Sequence, residues 1–134
     1  MPVSGIHHLG IAVDDLDRAV EVYARLFGAE VEHREALVEQ GADVVLLRVG
    51  GALVELLAPS GPDTPVGRFL AKRGPGMHHV AFEVADVAAE LARLAAEGAE
   101  LVDERPRRGI LGREIAFVHP AATGGVLAEL VGSG

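Results

Sequence analysis

Two histidine doublets and two isolated glutamates recur in register along this chain. His7-His8 stands in GIHHLGIAV (residues 5–13) and His78-His79 in GMHHVAFEV (76–84), while Glu55 stands in GGALVELL (50–57) and Glu129 in GGVLAELV (124–131). Imidazole nitrogen and carboxylate oxygen together are donors for a divalent transition ion. Duplication of a unit places equivalent residues around one shared centre, so the pattern predicts a site of two His and two Glu.

Strand alternation selects which histidine of each doublet looks inward, because successive side chains point to opposite faces. His8 shares a face with Gly10 and Ala12, and His79 with Ala81, small residues that leave room for a ligand. Leu9, Ile11, Val13, Val80, Phe82 and Val84 lie on the other face and are expected under helices, with His7 and His78 as edge or packing residues. A carboxylate in an apolar strand is costly to bury unless it is paired or bound to a cation. Glu55 and Glu129, each matched to a histidine, therefore point to a metal site made of His8, Glu55, His79 and Glu129. Two imidazoles and two carboxylates suit Mn, Co, Fe, Ni or Zn, and an octahedral ion would keep two positions for a bidentate oxygen ligand.

The elements that must position these residues are legible from hydrophobic period. Residues 6–13 alternate as a strand; Asp15 to Phe27 carries Leu16, Ala19, Val20 and Tyr23 at helical spacing, with Asp14 or Asp15 as N-cap and Gly28 as stop. Strands are predicted near 29–34, 43–49 and 51–58, the last two joined by a hairpin at Gly50-Gly51. The second half repeats the order, with a strand at 77–84, a helix from about Asp86 to Glu97 stopped by Gly98, then strands near 99–103, 113–119 and 125–131. Pro59, Gly61, Pro62 and Pro65 mark a connector, with a short helix over Val66 to Arg73. Two βαβββ modules, about 5–58 and 76–132, joined by the connector 59–75, are read as one domain over residues 1–134 of α+β class.

The remaining composition narrows the function. The 134 residues include no cysteine, which removes thiolate nucleophiles and sulfur-ligated metals, and the formal charge of -8 argues against nucleic acid as a partner. Basic residues bunch locally at Arg68, Lys72 and Arg73 and at Arg105, Arg107 and Arg108, where they could meet the phosphates of a small ligand. No apolar run is long enough for a membrane span and no signal-peptide pattern opens the chain, so a cytoplasmic location is the default expectation.

At these residues the chain resembles the vicinal oxygen chelate (glyoxalase-like) superfamily, and within it the methylmalonyl-CoA epimerases. The first motif, IHHLGIAV, is general to the superfamily; EQG, ELLAPSGPDTPVGRFLAKRG, GMHHVAFEV and HPAATGGVLAELV carry the more specific likeness, which spans essentially the whole chain. The resemblance implies two tandem βαβββ modules around one divalent ion (Co, Mn, Ni or Zn) and ligands at His8, His79, Glu129 and Glu55, the last being Gln in some relatives. It also implies a homodimer, an acyl-CoA substrate, and interconversion of (2R)- and (2S)-methylmalonyl-CoA by proton transfer at C2 through a metal-stabilised enolate. Glu129 is nominated as one base. Some relatives carry a second glutamate three residues after the glycine of EQG, where this chain has Val44; Asp43, Glu39 and Glu55 are the candidates to replace it.

Other superfamily chemistries use similar ligands, among them lactoylglutathione lyases and ring-cleaving dioxygenases. Drug-binding relatives of the same fold lack a metal and use aromatic cages. Four Phe, one Tyr and no Trp argue against such a cage here.

Overall fold

The computed structural model describes residues 2–133. Its contacts divide the chain into two compact units: residues 8–78, and the residues up to His7 together with those from His79 onward. The first strand, β1 (Val3–Ala12), therefore begins in one unit and ends in the other, and the connector belongs with the first module.

The unit 8–78 contains the end of β1, α1 (Leu16–Phe27), β2 (Glu30–Leu37), a single 3-10 turn (Val38–Gln40), β3 (Ala42–Val49), β4 (Ala52–Pro59) and α2 (Pro65–Arg73). Its strands lie in the order β2-β3-β4-β1, with β1 parallel to β4 and the other pairs antiparallel. The α1 helix starts where the sequence places it. The Asp15 carboxylate accepts the Arg18 N–H at 3.1 Å, and Gly28 takes the left-handed conformation that ends the helix. Its apolar stripe, Leu16, Val20 and Tyr23, packs on Val45, Leu47 and Leu56 with Ile11, Val13 and Val54 around them. Each of the wholly buried aliphatics contributes about 1.5–3 kcal/mol, which fixes that face of the sheet against the helix. The opposite face carries His8, Gly10 and Ala12 on β1, Glu55 and Leu57 on β4, and Val44 and Leu46 on β3.

The α2 helix packs against β4 and is held by Thr64, whose hydroxyl accepts the Gly67 N–H at 3.0 Å. A side chain at Gly67 would meet the Gly61 carbonyl oxygen at 2.6 Å, so glycine is what lets the helix settle on its own entry turn.

In the other unit, the end of β5 (Gly76–Val84) is followed by α3 (Val87–Ala96), β6 (Arg107–Arg108), β7 (Glu114–Val118), a short α4 (Pro120–Thr123) and β8 (Ala128–Gly132). The order is β5-β8-β7-β6, with β5 parallel to β8. The start of β1 reaches this unit too, through the Ser4 hydroxyl donating to the Glu83 carbonyl at 3.1 Å. Asp86 caps α3 as Asp15 caps α1, and Val87 and Leu91 pack on Val84, Ala116, Val118 and Leu130. Both halves thus repeat βαβββ.

Three expectations fail locally. No strand forms over 99–103: only Leu101 bridges to Val118, because the Asp103 carboxylate takes the Phe117 N–H at 2.9 Å and the pairing of β7 passes to Arg107 and Arg108. The segment after His119 makes α4, capped by the His119 ring accepting the Ala121 N–H, so β8 starts at Ala128 rather than 125. Leu9 is partly exposed instead of packing under α1.

Candidate functional site

Each unit builds one His–Glu pair on the same plan. In the unit 8–78, Gly10 lies opposite Glu55 in the parallel pairing of β1 with β4, and His8, two residues earlier, has its Nε2 3.7 Å from Glu55 Oε2. In the other unit, Ala81 lies opposite Glu129 in the parallel pairing of β5 with β8, and His79 Nε2 is 3.2 Å from Glu129 Oε1. All four side chains are buried, with 1, 4, 3 and 5% of their surface exposed for His8, Glu55, His79 and Glu129. Alternation therefore chose the inward histidine correctly in both doublets. His78 packs instead against the Phe69 ring, centroid to centroid 4.9 Å.

The donor types suit a divalent ion. Bonds of about 2.0–2.2 Å from N and O ligands put neighbouring donors about 3 to 3.5 Å apart; the His79–Glu129 pair at 3.2 Å falls within that range and the His8–Glu55 pair at 3.7 Å stands slightly wider. Within each unit, a buried carboxylate set in apolar strand residues gains from a nearby positive charge the stabilisation that water would otherwise give it.

Around His79 the unit adds a stacked wall. Phe117, opposite Glu129 in the antiparallel pairing of β7 with β8, turns its ring at 90° to the His79 imidazole, with centroids 5.9 Å apart. The Arg107 guanidinium lies over the Phe117 ring at 5.4 Å and is anchored by Asp103 at 3.2 Å. One member of the second basic cluster is therefore built next to a predicted ligand, while Arg105 and Arg108 of that cluster are exposed. In the first cluster, Arg68 pairs with Asp63 at 3.1 Å and Arg73 covers Phe69 at 5.8 Å.

The candidates for a second base divide differently. Asp43 is exposed and in register with Ala58, on the face that receives α1 and away from Glu55. Glu39 is exposed in the 3-10 turn. Val44 is wholly buried on the Glu55 face, between Leu57 on one side and Glu35 on the other. Glu35 itself went unnoticed in the sequence, as did His33, whose Nε2 is 2.8 Å from Glu35 Oε1. The alternation His-Arg-Glu in a strand was the signal available. Beside them, the Arg48 hydrogen bond lowers the pKa of the exposed Glu32 carboxyl from its ordinary value and raises that of Arg48.

Residues 7–117 match the model of the Glyoxalase/Bleomycin resistance protein/Dioxygenase superfamily. Methylmalonyl-CoA epimerase from Mycobacterium tuberculosis superposes with a TM-score of 0.95 at 42% identity, over 99% of this chain and 90% of that one. This chain belongs to the methylmalonyl-CoA epimerase family of that superfamily. A family member solved in complex with methylmalonyl-CoA and NH4+ gives a TM-score of 0.94 at 42% identity, over 98% of this chain and 95% of the other. The ethylmalonyl-CoA/methylmalonyl-CoA epimerase of Cereibacter sphaeroides is 34% identical over 96% of this chain and 97% of its own length. The likeness to these epimerases thus spans nearly the whole chain, and the repeated pairs sit on corresponding strands of its two βαβββ halves.

Proposed function

We propose that this chain is a metal-dependent epimerase that interconverts (2R)- and (2S)-methylmalonyl-CoA by proton transfer at C2. The observation that carries the proposal is the duplicated pair: a buried histidine on the first strand of each half and a buried glutamate on its parallel partner. Near-complete coverage of epimerases, one of them solved with methylmalonyl-CoA, supports the substrate class. His8, Glu55, His79 and Glu129 would hold one divalent ion, and His8, His79 and Glu129 are buried donors of the types such an ion takes.

When bound, the ion supplies positive charge that stabilises the enolate formed as C2 loses its proton. The chain's residues do the rest. Gly10 and Ala81 hold no bulk beside the two glutamates, leaving space for the acyl group. Glu129, buried on the strand face that carries Leu127, Phe117 and Val131, would be the carboxylate that takes or returns a proton on one face of C2. Phe117 and Arg107 keep the His79 ring in a fixed orientation and shield it from water on that side. The basic clusters would meet the phosphates of CoA on a chain that is otherwise acidic. Selection between methylmalonyl and ethylmalonyl groups rests on one methylene, worth about 1–3 kcal/mol in a fitted pocket.

Deuterium uptake from heavy water at C2 of methylmalonyl-CoA, measured with and without added cobalt, tests substrate and chemistry together. Metal-dependent uptake from both stereoisomers is expected. No uptake by the metal-loaded protein would overturn the proposal.

A further inference from the structure

We infer that Asp103 is a positioning residue of this site: its carboxylate fixes Phe117 at both the backbone and the ring, and Phe117 in turn holds the His79 imidazole. The consequence for turnover rests on the epimerase reading above. Every contact that carries the inference lies within the unit that runs from His79 onward.

The contacts form one chain. A single oxygen of Asp103, Oδ2, accepts the Phe117 N–H at 2.9 Å and the Arg107 Nε–H at 3.2 Å. The Phe117 carbonyl accepts the N–H groups of Val102 and Asp103 at 3.0 and 3.1 Å, so both polar groups of the Phe117 backbone are bound by the same two residues. Arg107, held by that ion pair, lies over the Phe117 ring at 5.4 Å. The ring stands at 90° to the His79 imidazole with centroids 5.9 Å apart, an edge-to-face geometry that aromatic pairs favour. His79 Nε2 is in turn 3.2 Å from Glu129 Oε1.

The other unit shows what Asp103 replaces. There Leu46 lies opposite Glu55 as Phe117 lies opposite Glu129, and on its other side Leu46 pairs with His33 of the full strand β2. In the second half only Leu101 bridges, to Val118, and a side-chain carboxylate takes the Phe117 N–H that a neighbouring strand would otherwise take. A strand carbonyl could accept that N–H, but it carries no charge to hold a guanidinium over the ring. The carboxylate does both, through charge-assisted hydrogen bonds that are about twice as strong as neutral ones. Its removal frees the ring that packs on His79, and loss of such outer contacts to a ligand typically costs about 10–100-fold in metal affinity or activity.

The test compares wild type with Asp103→Ala, Asp103→Asn, Arg107→Met and, as a control, the exposed neighbour Glu104→Gln. Four quantities are measured: Tm, the His79 ring C–H resonances of metal-free protein, affinity for added cobalt, and C2 deuterium exchange of methylmalonyl-CoA by metal-loaded protein. Asp103→Ala should shift the His79 resonances, which sense the Phe117 ring current, and should weaken cobalt binding and slow exchange by about 10-fold or more. Asp103→Asn, whose amide oxygen can still accept the Phe117 N–H, should recover part of each loss. Arg107→Met, which uncovers the ring but leaves the backbone bond, should also lie between wild type and Asp103→Ala, and Glu104→Gln should match wild type. If Asp103→Ala does not fold, the Asn and Met variants carry the same comparison. Variants that are folded at the working temperature with wild-type His79 resonances and cobalt affinity would overturn the inference, whatever their Tm, because a merely structural role lowers Tm alone. Shifted resonances and weakened cobalt binding in the variants, with no exchange by wild type itself, would leave the positioning role standing and overturn the epimerase reading instead.

Discussion

Ala81 lies directly across from Glu129 in the parallel pairing of β5 with β8, and both residues are buried. The equivalent neighbours in the other unit are Gly10 and Glu55. A small residue thus stands on one side of each glutamate, while the other side is bulky, Leu46 beside Glu55 and Phe117 beside Glu129, so an ion or an acyl oxygen has room on the small side. Ala81→Val is expected to keep the fold at a cost of about 1–3 kcal/mol, typical of an overpacked core, while lowering kcat. Thermal melting read beside turnover separates the two effects; an unchanged kcat would show that the space next to Glu129 is not used.

Metal content gives the next test. Protein purified without chelator should carry close to one divalent ion per chain, and His79→Ala should lose it. The histidine is buried and fixed by Phe117, so its removal takes away a donor that no exposed side chain can replace. Elemental analysis of wild type and variant decides the point. Full metal content in His79→Ala would exclude it as a ligand.

How much of this was legible in the sequence depends on which interactions decide each element. That His8 and His79 are the buried members of their doublets was legible because alternation along β1 and β5 is local, and the caps Asp15 and Asp86 lie one residue from the helices they start. Asp103 was not, since its carboxylate binds the Phe117 N–H across fourteen positions and so displaces a strand that its own segment favours. Glu35 was missed for a related reason. Its face is set by pairing with Val44, and that register follows an irregularity between Val31 and His33 which the apolar pattern does not announce.

The EQG turn makes a stability prediction independent of chemistry. Gly41 closes the 3-10 turn with φ of 65°, in the left-handed region, and a Cβ there would stand 2.7 Å from Thr64 Cγ2. Gly41→Ala should therefore destabilise the protein by about 1–3 kcal/mol, visible as a lower Tm. An unchanged Tm would mean that the turn relaxes without strain.

The Glu32–Arg48 pair defines a pH dependence. Because the hydrogen bond from Arg48 depresses the Glu32 pKa in the folded state, its contribution to stability is present above the ordinary carboxylate range and is lost as pH falls through the depressed value. Both groups are solvent-exposed, so the contribution is small and screened by salt. An NMR titration should place the Glu32 midpoint below 4.5, and Arg48→Met should move it back up. A Glu32 midpoint that ignores this substitution would contradict the pairing.

The two basic clusters make the last prediction, and the structure separates them by what each already touches. Arg107 is committed to Asp103 and Phe117, so its reversal should disturb the wall beside His79 and change kcat together with KM. Arg105 and Arg108 are exposed in the same segment, and Arg68, Lys72 and Arg73 are exposed on α2. If one of these exposed sets holds the CoA phosphates, replacing it with Glu should raise KM for methylmalonyl-CoA with little effect on kcat, the pattern of an interaction made equally in ground and transition states. Added salt should weaken binding for wild type more than for the variant, because screening acts on the contacts the variant has lost. Equal KM for wild type and for both exposed-cluster reversals would assign phosphate binding to neither, leaving Arg107 as the arginine to test.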